Sequence, residues 1–170
     1  GKNRIVRVGY IGDISYHKGV HVLLEAFRRI ITLSQNRSTN LRLYLIGPLH
    51  VNSYLSGGLI RKYRNLSRKV VIVKPAESRM RIYRALDILI LPSICHENAP
   101  LTIVEGMAAS RFIIASNVGG VPEYLSSYPR GMLVEPSNVS MLTEGILEFS
   151  EKLHYSKASF NSRKYVKSID

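Results

Sequence analysis

The sequence predicts an α/β protein with a doubly wound parallel β-sheet. Two observations carry this prediction. Strand-like and helix-like segments alternate almost from one end of the chain to the other. In addition, some strand-like segments, such as Ile88–Leu91, are apolar at every position. Strands of that kind are buried on both faces, and a sheet whose two faces are covered by helical connections is typically parallel.

The first half of the chain is expected to contribute three strands. Arg4–Ile11 is rich in β-branched residues and ends at a glycine, which predicts the first strand. Apolar residues then recur at helical spacing from Val20 to about Leu33, which predicts an amphipathic helix. The polar segment Asn36–Asn40 is expected to be a loop. The other elements predicted here are a strand over Leu41–Ile46, a weaker helix around Ser53–Leu66 and a short buried strand over Val70–Val73.

The second half continues the alternation, and two prolines mark boundaries in it. Pro92 stops an apolar strand, because proline has no N–H for the sheet. Pro100 suits the first turn of a helix, where that N–H is not needed. The predicted elements are a helix over Ser78–Leu86, a strand over Asp87–Leu91, a helix over Pro100–Ala109, strands over Phe112–Ser116 and Gly131–Val134, and a helix over Asn138–Leu153.

Length and composition are those of one globular domain. The 170 residues, 45% of them hydrophobic, suffice for one buried core, and the longest apolar runs are too short to span a membrane. The single cysteine, Cys95, excludes an internal disulfide, and no close histidine or carboxylate spacing supports a zinc site. We therefore expect a protein of a reducing compartment, by default the cytoplasm.

The net charge of +12, from 24 basic and 12 acidic residues, favours an anionic partner. A nucleotide diphosphate and an anionic membrane surface both fit, the latter implying peripheral membrane association. Nucleic acid is not expected as a partner, because the basic residues are scattered and no aromatic–basic signature accompanies them. A basic surface that only improves solubility explains the charge equally well.

The first candidate motif is Gly12–Gly19, which joins the first strand to the first helix. Gly12 at the turn lets the backbone approach a ligand closely, and Lys18 at the helix start can reach a phosphate. The glycine spacings of the dinucleotide fingerprint and of the P-loop are absent. Taken alone, an ordinary turn with an exposed lysine explains the motif better.

The second candidate motif contains Glu97 and Glu105, on either side of the predicted helix start at Pro100. Glu105 interrupts an otherwise apolar helix, and a buried carboxylate needs a hydrogen-bonding partner such as a polar ligand. The N–H groups of Leu101 and Thr102, at the helix N-terminus, can hold an anion. Together these groups suit a nucleotide-sugar. The alternative is structural: Glu97 caps the helix, and Glu105 pairs with a nearby Arg or Lys.

The third candidate motif is the glycine pair Gly119 and Gly120, after the strand ending at Ser116. Paired glycines allow positive φ and bring bare N–H groups toward a ligand. A tight loop before a short helix is the alternative explanation.

In order along the chain, these segments resemble the C-terminal half of a retaining glycosyltransferase of family 4, which has the GT-B fold of two Rossmann-like domains. The resemblance runs from about Val6 to Leu153. Several ordered motifs at the right separations make it far more specific than any one motif. The motifs are Gly12 with Lys18-Gly19, Leu43–Gly47, Ile82–Ser93, the Glu97/Glu105 pair, Ala115–Glu123 and Gly131–Val134.

The resemblance implies that residues 1–153 form a Rossmann-like domain that binds a nucleotide-diphosphate sugar, followed by a basic tail or terminal helix over 154–170. An N-terminal acceptor domain would be missing from this chain, so the chain alone is expected to be inactive as a retaining hexosyltransferase of glycan biosynthesis. The resemblance also implies roles for the candidate residues, with no metal or other cofactor. Glu97 would contact hydroxyls of the donor sugar, and Glu105 would contact the ribose. The diphosphate would be held by Lys18 together with the backbone amides of Leu101 and Thr102. Lys74 would flank the base.

Two positions depart from the family pattern. The family commonly has arginine after the first glycine, paired with the lysine on the diphosphate, where this chain has Asp13. We expect either that Asp13 turns away or that another cation, Arg111 or Lys74, takes the arginine's place. Ser110-Arg111-Phe112 also replaces the more usual Gly-x-Pro.

Asp13 keeps a second function open: a non-catalytic module of the same fold that binds a nucleotide or a protein. A third interpretation of the same motifs is that the chain is half of a GT-B epimerase or phosphorylase. An epimerase or phosphorylase would share this half of the fold and would differ mainly in residues that this chain is expected to lack.

Overall fold

The computed structural model of the chain describes residues 5–33, 40–48, 63, 66, 69–73 and 78–155. Within these ranges the chain forms parallel strands separated by helices. The elements are β1 (Val6–Ile11), α1 (Val20–Leu33), β2 (Leu41–Ile46), β3 (Val70–Val73), α2 (Arg79–Ala85), β4 (Ile88–Leu91), α3 (Leu101–Ala108), β5 (Phe112–Ser116), α4 (Val121–Leu125), β6 (Gly131–Val134) and α5 (Val139–Tyr155).

Every predicted strand is present, and the helix boundaries in the described ranges shift by one or two residues. The last helix reaches Tyr155 rather than Leu153, so the first residues assigned to the tail belong to α5. The short α4 confirms a helix after the glycine pair. Several predictions concern residues outside the described ranges: most of the loop over 36–40, most of the helix over 53–66, Lys74, and the remainder of the tail.

The six strands form one parallel sheet in the order β3-β2-β1-β4-β5-β6. The chain runs outward from β1 to β2 and β3, then returns to add β4 on the other side of β1. The direction of strand addition therefore reverses between β1 and β4. In doubly wound sheets ligands bind at this switch point, beyond the carboxyl ends of the strands.

Helices cover both faces of the sheet. On one face, α1 and α5 bury side chains such as Phe27 and Phe149 against one set of alternating strand residues. On the other face, α2, α3 and α4 bury Tyr83 and Ile103 against the intervening set. In β4, for example, Ile88 and Ile90 face the first cluster, and Leu89 and Leu91 the second. This two-sided burial is why β4 is apolar at every position.

No helix in the described ranges is both long enough and apolar enough to cross a bilayer.

Candidate functional site

The loops that follow β1, β4 and β5 meet at the switch point of the sheet. The N–H of Ile94, after β4, donates a hydrogen bond to the carbonyl of His17, after β1, at 3.0 Å. The N–H of Gly120, after β5, donates to the carbonyl of Glu97 at 2.7 Å. Backbone hydrogen bonds therefore fix the three loops relative to one another.

Two glycines make this close approach possible. Gly19 has φ of +70°, and a Cβ there would overlap the carbonyl oxygen of Pro92. Gly119 has φ of +50°, and a Cβ there would overlap the backbone of Glu97. Both positions need a residue that tolerates the left-handed region and has no side chain.

The glycine pair departs from the prediction at Gly120, whereas Gly119 has the positive φ that was predicted. Gly120 does not offer a bare N–H to a ligand, because that N–H binds the Glu97 carbonyl. Gly119 lies against the same backbone. Both glycines position Glu97, which is an indirect contribution to the site.

The centre of the site is an ion pair between Lys18 and Glu97. Lys18 Nζ lies 2.6 Å from Glu97 Oε1, and the hydroxyl of Ser93 donates to the same oxygen at 2.7 Å. The side chains are 30% and 17% exposed, so the pair is partly shielded from water. Burial lowers the pKa of Lys18, but the hydrogen bond and charge of Glu97 outweigh it, and the net effect is to raise that pKa.

Glu97 does not cap α3, contrary to the structural alternative. The N-cap is Pro100, and α3 has no side-chain hydrogen bond at its start. The N–H of Ile103 donates to the carbonyl of Pro100 at 2.9 Å. The N–H groups of Leu101 and Thr102 precede it in the first turn, where the helix itself supplies no acceptor. The helix N-terminus with these groups is suited to an anion.

Glu105 lies on the second turn of α3, as predicted, but it already has a partner in the protein. Its Oε2 accepts a hydrogen bond from Arg79 Nη2 at 3.0 Å, and the two side chains are 25% and 64% exposed. The ion pair with a nearby Arg or Lys, which was the structural alternative, is therefore present. The contact of Glu105 with a polar ligand stays a prediction.

A cavity of about 200 Å³ opens beside this ion pair. It lies at the carboxyl ends of β1 and β2, under α2, and Gly12 is at its wall. The hydroxyl of Tyr83 is buried beside the side chains of Glu105 and Thr102. Burial and the neighbouring Glu105 raise the pKa of Tyr83. The lining residues are Ile11, Gly12, Ile46, Gly47, Pro48, Arg79, Ile82 and Tyr83.

Asp13 lies close to the site, despite its negative charge. Its carbonyl accepts a hydrogen bond from the Tyr10 hydroxyl at 2.7 Å. Burial raises the pKa of Tyr10, and the charges of Asp13 and Glu97 raise it further. The Asp13 charge also contributes to the raised pKa of Lys18. Its electrostatic influence therefore extends to the residue predicted to bind phosphate.

Arg111 cannot take the place of the arginine that the family commonly has where this chain has Asp13, so that expectation for Arg111 was wrong. Its side chain is buried at the amino end of β5, on the opposite edge of the sheet. There Nε donates to the carbonyl of Ala109 and Nη1 to that of Leu86, both at 2.7 Å. Arg111 therefore closes the C-terminal end of α3. Lys74, the other candidate, lies outside the described residues.

Three residues of the site had no role predicted from sequence: Ser93, Arg79 and Tyr83. Ser93 directly follows the Leu91-Pro92 strand end, and this position after a strand was an available signal. Arg79 is the first residue of the short helix α2, and Tyr83 lies further along it. Nothing in their local sequence indicates the cavity. Within the described ranges no three histidine, cysteine, aspartate or glutamate side chains are grouped to hold a metal.

A doubly wound sheet, with a lysine–carboxylate pair and a helix N-terminus at its switch point, defines a Rossmann-like domain. Within that class the family is clear. A model of the family described as glycosyl transferases group 1 matches residues 5–152, and the chain belongs to that family.

Known relatives agree with this assignment. The chain is 29% identical over 136 residues to a D-inositol 3-phosphate glycosyltransferase of Corynebacterium efficiens, covering 75% of the chain and 30% of the relative. An uncharacterized glycosyltransferase of Methanocaldococcus jannaschii is 24% identical over 139 residues, covering 81% of the chain and 34% of the relative. The chain thus spans about a third of the length of these curated relatives.

A solved structure gives the same result for the fold. The C-terminal domain of a glycosyl transferase group 1 family protein from Francisella tularensis has a TM-score of 0.73 and 26% identity, with 96% of this chain and 85% of that one covered. The fold is therefore that of the C-terminal domain of a GT-B glycosyltransferase.

Proposed function

We propose that this chain binds a nucleotide-diphosphate sugar, and that the whole protein transfers the sugar to an acceptor held by another domain. The observation that carries the proposal is the ion pair between Lys18 and Glu97 at the switch point. Lys18 lies in the loop after β1, and Glu97 lies in the loop between β4 and α3. Lys18 and the α3 N-terminus suit a diphosphate, and Glu97 suits sugar hydroxyls. In support, an Anabaena protein with TM-score 0.66 and 18% identity to this chain was solved in complex with UDP and glucose.

In the proposed reaction the bond between the anomeric carbon and the diphosphate oxygen breaks. A bond from the same carbon to the acceptor oxygen forms on the same face, so the configuration is retained. The acceptor's proton moves to the departing phosphate oxygen. Lys18 and the amides of Leu101 and Thr102 stabilise the negative charge that develops there, so no metal is required. Glu97 is the catalytic residue of this proposal because it orients the transferred sugar.

The binding proposal is tested by calorimetry on the 170-residue chain with UDP, GDP and ADP, and with their common sugar conjugates, in the presence of EDTA. We expect saturable binding of one base. Glu105→Ala and Lys18→Ala should each weaken it by about tenfold or more, since each removes a charged hydrogen-bonding group. Arg28→Ala is the matched control, because Arg28 forms an exposed ion pair with Glu25 on α1. Equal affinity in all the variants would show that the site assignment is wrong.

Asp13 favours a second function, a non-catalytic module of the same fold that binds nucleotide without transferring sugar. A carboxylate near Lys18 opposes a bound diphosphate. The whole protein distinguishes the two functions: a transferase forms a glycosidic product whose anomeric configuration NMR can assign, whereas a binding module forms none. Asp13→Arg should tighten diphosphate binding in either case.

A further inference from the structure

Two donors share one oxygen of the Glu97 carboxylate. Lys18 Nζ and the hydroxyl of Ser93 both bind Oε1, at 2.6 Å and 2.7 Å. No group in the part of the chain that the structure describes donates to Oε2. A carboxylate oxygen accepts about two hydrogen bonds. Oε1 is therefore satisfied within the protein, and Oε2 remains for a ligand.

The two donors differ in how firmly they are held. Ser93 is 4% exposed. The residue on either side of it contacts the loop after β1: the carbonyl of Pro92 lies against Gly19, and the N–H of Ile94 donates to a carbonyl of that loop. The Ser93 hydroxyl is therefore held in place by burial and by its backbone. By contrast, Lys18 carries its charge on a flexible four-carbon stem and is 30% exposed.

The ion pair and the proposed ligand require Lys18 in different places. In the proposed function Lys18 binds the diphosphate, whereas in this structure its ammonium group pairs with Glu97. A diphosphate carries more negative charge than one carboxylate, so it attracts the flexible lysine more strongly. Ser93 carries no charge and has no part in the proposed binding of phosphate. Its hydrogen bond to Glu97 is therefore compatible with a bound donor, even when Lys18 has moved.

We propose that Ser93 is a positioning residue, which keeps the Glu97 carboxylate oriented toward the donor sugar when Lys18 turns to the diphosphate. The inference rests on the proposed nucleotide-sugar function. Oε1 of Glu97 stays bound to the Ser93 hydroxyl, and Oε2 accepts a hydrogen bond from a sugar hydroxyl. Without the Ser93 hydroxyl the carboxylate loses its fixed donor and adopts several orientations, of which only some suit the sugar. The contacts of the diphosphate do not depend on Ser93.

The test is calorimetry of the 170-residue chain with UDP, GDP and ADP, and with the glucose, mannose and N-acetylglucosamine conjugates of each. The readout is the ratio of the affinity for a sugar conjugate to the affinity for its nucleoside diphosphate, taken for the conjugate that the parent binds most tightly. Ser93→Ala should lower this ratio by about three- to tenfold, the effect of one hydrogen bond. Ser93→Thr keeps the hydroxyl and should keep most of the parent's ratio.

Ser150→Ala is the matched control. Ser150 is fully buried, and its hydroxyl donates to the carbonyl of Ile146 at 2.6 Å, within a helix that contributes no residue to the site. The control removes the same chemical group as Ser93→Ala, so its ratio should equal the parent's. Thermal unfolding of each variant verifies that it is folded. A change in the ratio then reports on the site and not on general stability.

The contrary results have different meanings. If the parent chain binds none of these ligands, the proposed function fails and the inference fails with it. If the parent binds a conjugate more tightly than its diphosphate and Ser93→Ala keeps the ratio, the proposed function stands and the inference is wrong. The inference is also wrong if Ser93→Thr lowers the ratio as much as Ser93→Ala, because the hydroxyl is then not the cause. A parent that binds a nucleotide but prefers no sugar conjugate overturns the inference as well, since Glu97 then has no sugar to contact.

Discussion

Gly119→Ala is the most informative single change for the assembly of this site. The alanine would occupy φ of +50°, and its Cβ would overlap the backbone of Glu97. The left-handed conformation costs an alanine roughly 1–2 kcal/mol. Moving Glu97 away to relieve the overlap breaks the Gly120–Glu97 hydrogen bond, which is worth about 1 kcal/mol. The free energy of unfolding should therefore fall by about 2–3 kcal/mol.

Urea denaturation measures this loss, as a midpoint lower by roughly 1 M with an unchanged slope. Because Glu97 moves, affinity for the sugar-nucleotide should fall more than affinity for the nucleoside diphosphate. Ser137→Ala is the control: Ser137 has φ of +61° and already accommodates a Cβ, so its stability should change by less than about 0.5 kcal/mol. A Gly119→Ala protein as stable as the parent would refute the close-approach argument.

Three further predictions concern charge and backbone conformation. The pKa of Lys18 is raised above its ordinary value of 10.5, so the stabilisation from its pair is fully present at neutral pH and is lost as pH rises through the folded-state pKa. Unfolding of the parent and of Lys18→Met, followed against pH, should show a constant difference near neutrality that shrinks above 10.5. Ser110, with φ of +59°, occupies a left-handed position at the end of α3, and Ser110→Gly should raise stability by about 0.5–1 kcal/mol, seen as a higher melting temperature. Arg111→Met should lower the free energy of unfolding, measured in urea, by about 3 kcal/mol and leave nucleotide affinity unchanged. A weakened affinity would show that Arg111 contributes to nucleotide binding.

The strands could be predicted from sequence because their signal is local. An apolar run between turn residues indicates a buried strand wherever it lies, and β4 is the clearest case. The position of the candidate site could also be predicted from the sequence, because the loops at the carboxyl ends of parallel strands lie at one edge of the sheet. Glu97 and Lys18 were therefore identified as candidates, each from its own loop.

Which side chains pair could not be predicted, because pairing depends on contacts between distant segments. Lys18 and Glu97 are 79 residues apart in sequence. Arg79 meets Glu105 only because α2 and α3 lie on the same face of the sheet. Arg111 was misplaced for the same reason: its sequence neighbours do not reveal that it points to the amino edge. The ribose role of Glu105 and the sugar role of Glu97 stay predictions.

The 79-residue separation of Lys18 and Glu97 has a consequence for how the protein becomes functional during synthesis. The glycines that hold Glu97 in place come later still, at Gly119 and Gly120. A nascent chain therefore has no complete site until the segment following β5 has left the ribosome, and contacts at such long range form slowly. A ligand that requires the finished site binds the native state alone, so it stabilises the sheet as a whole by mass action.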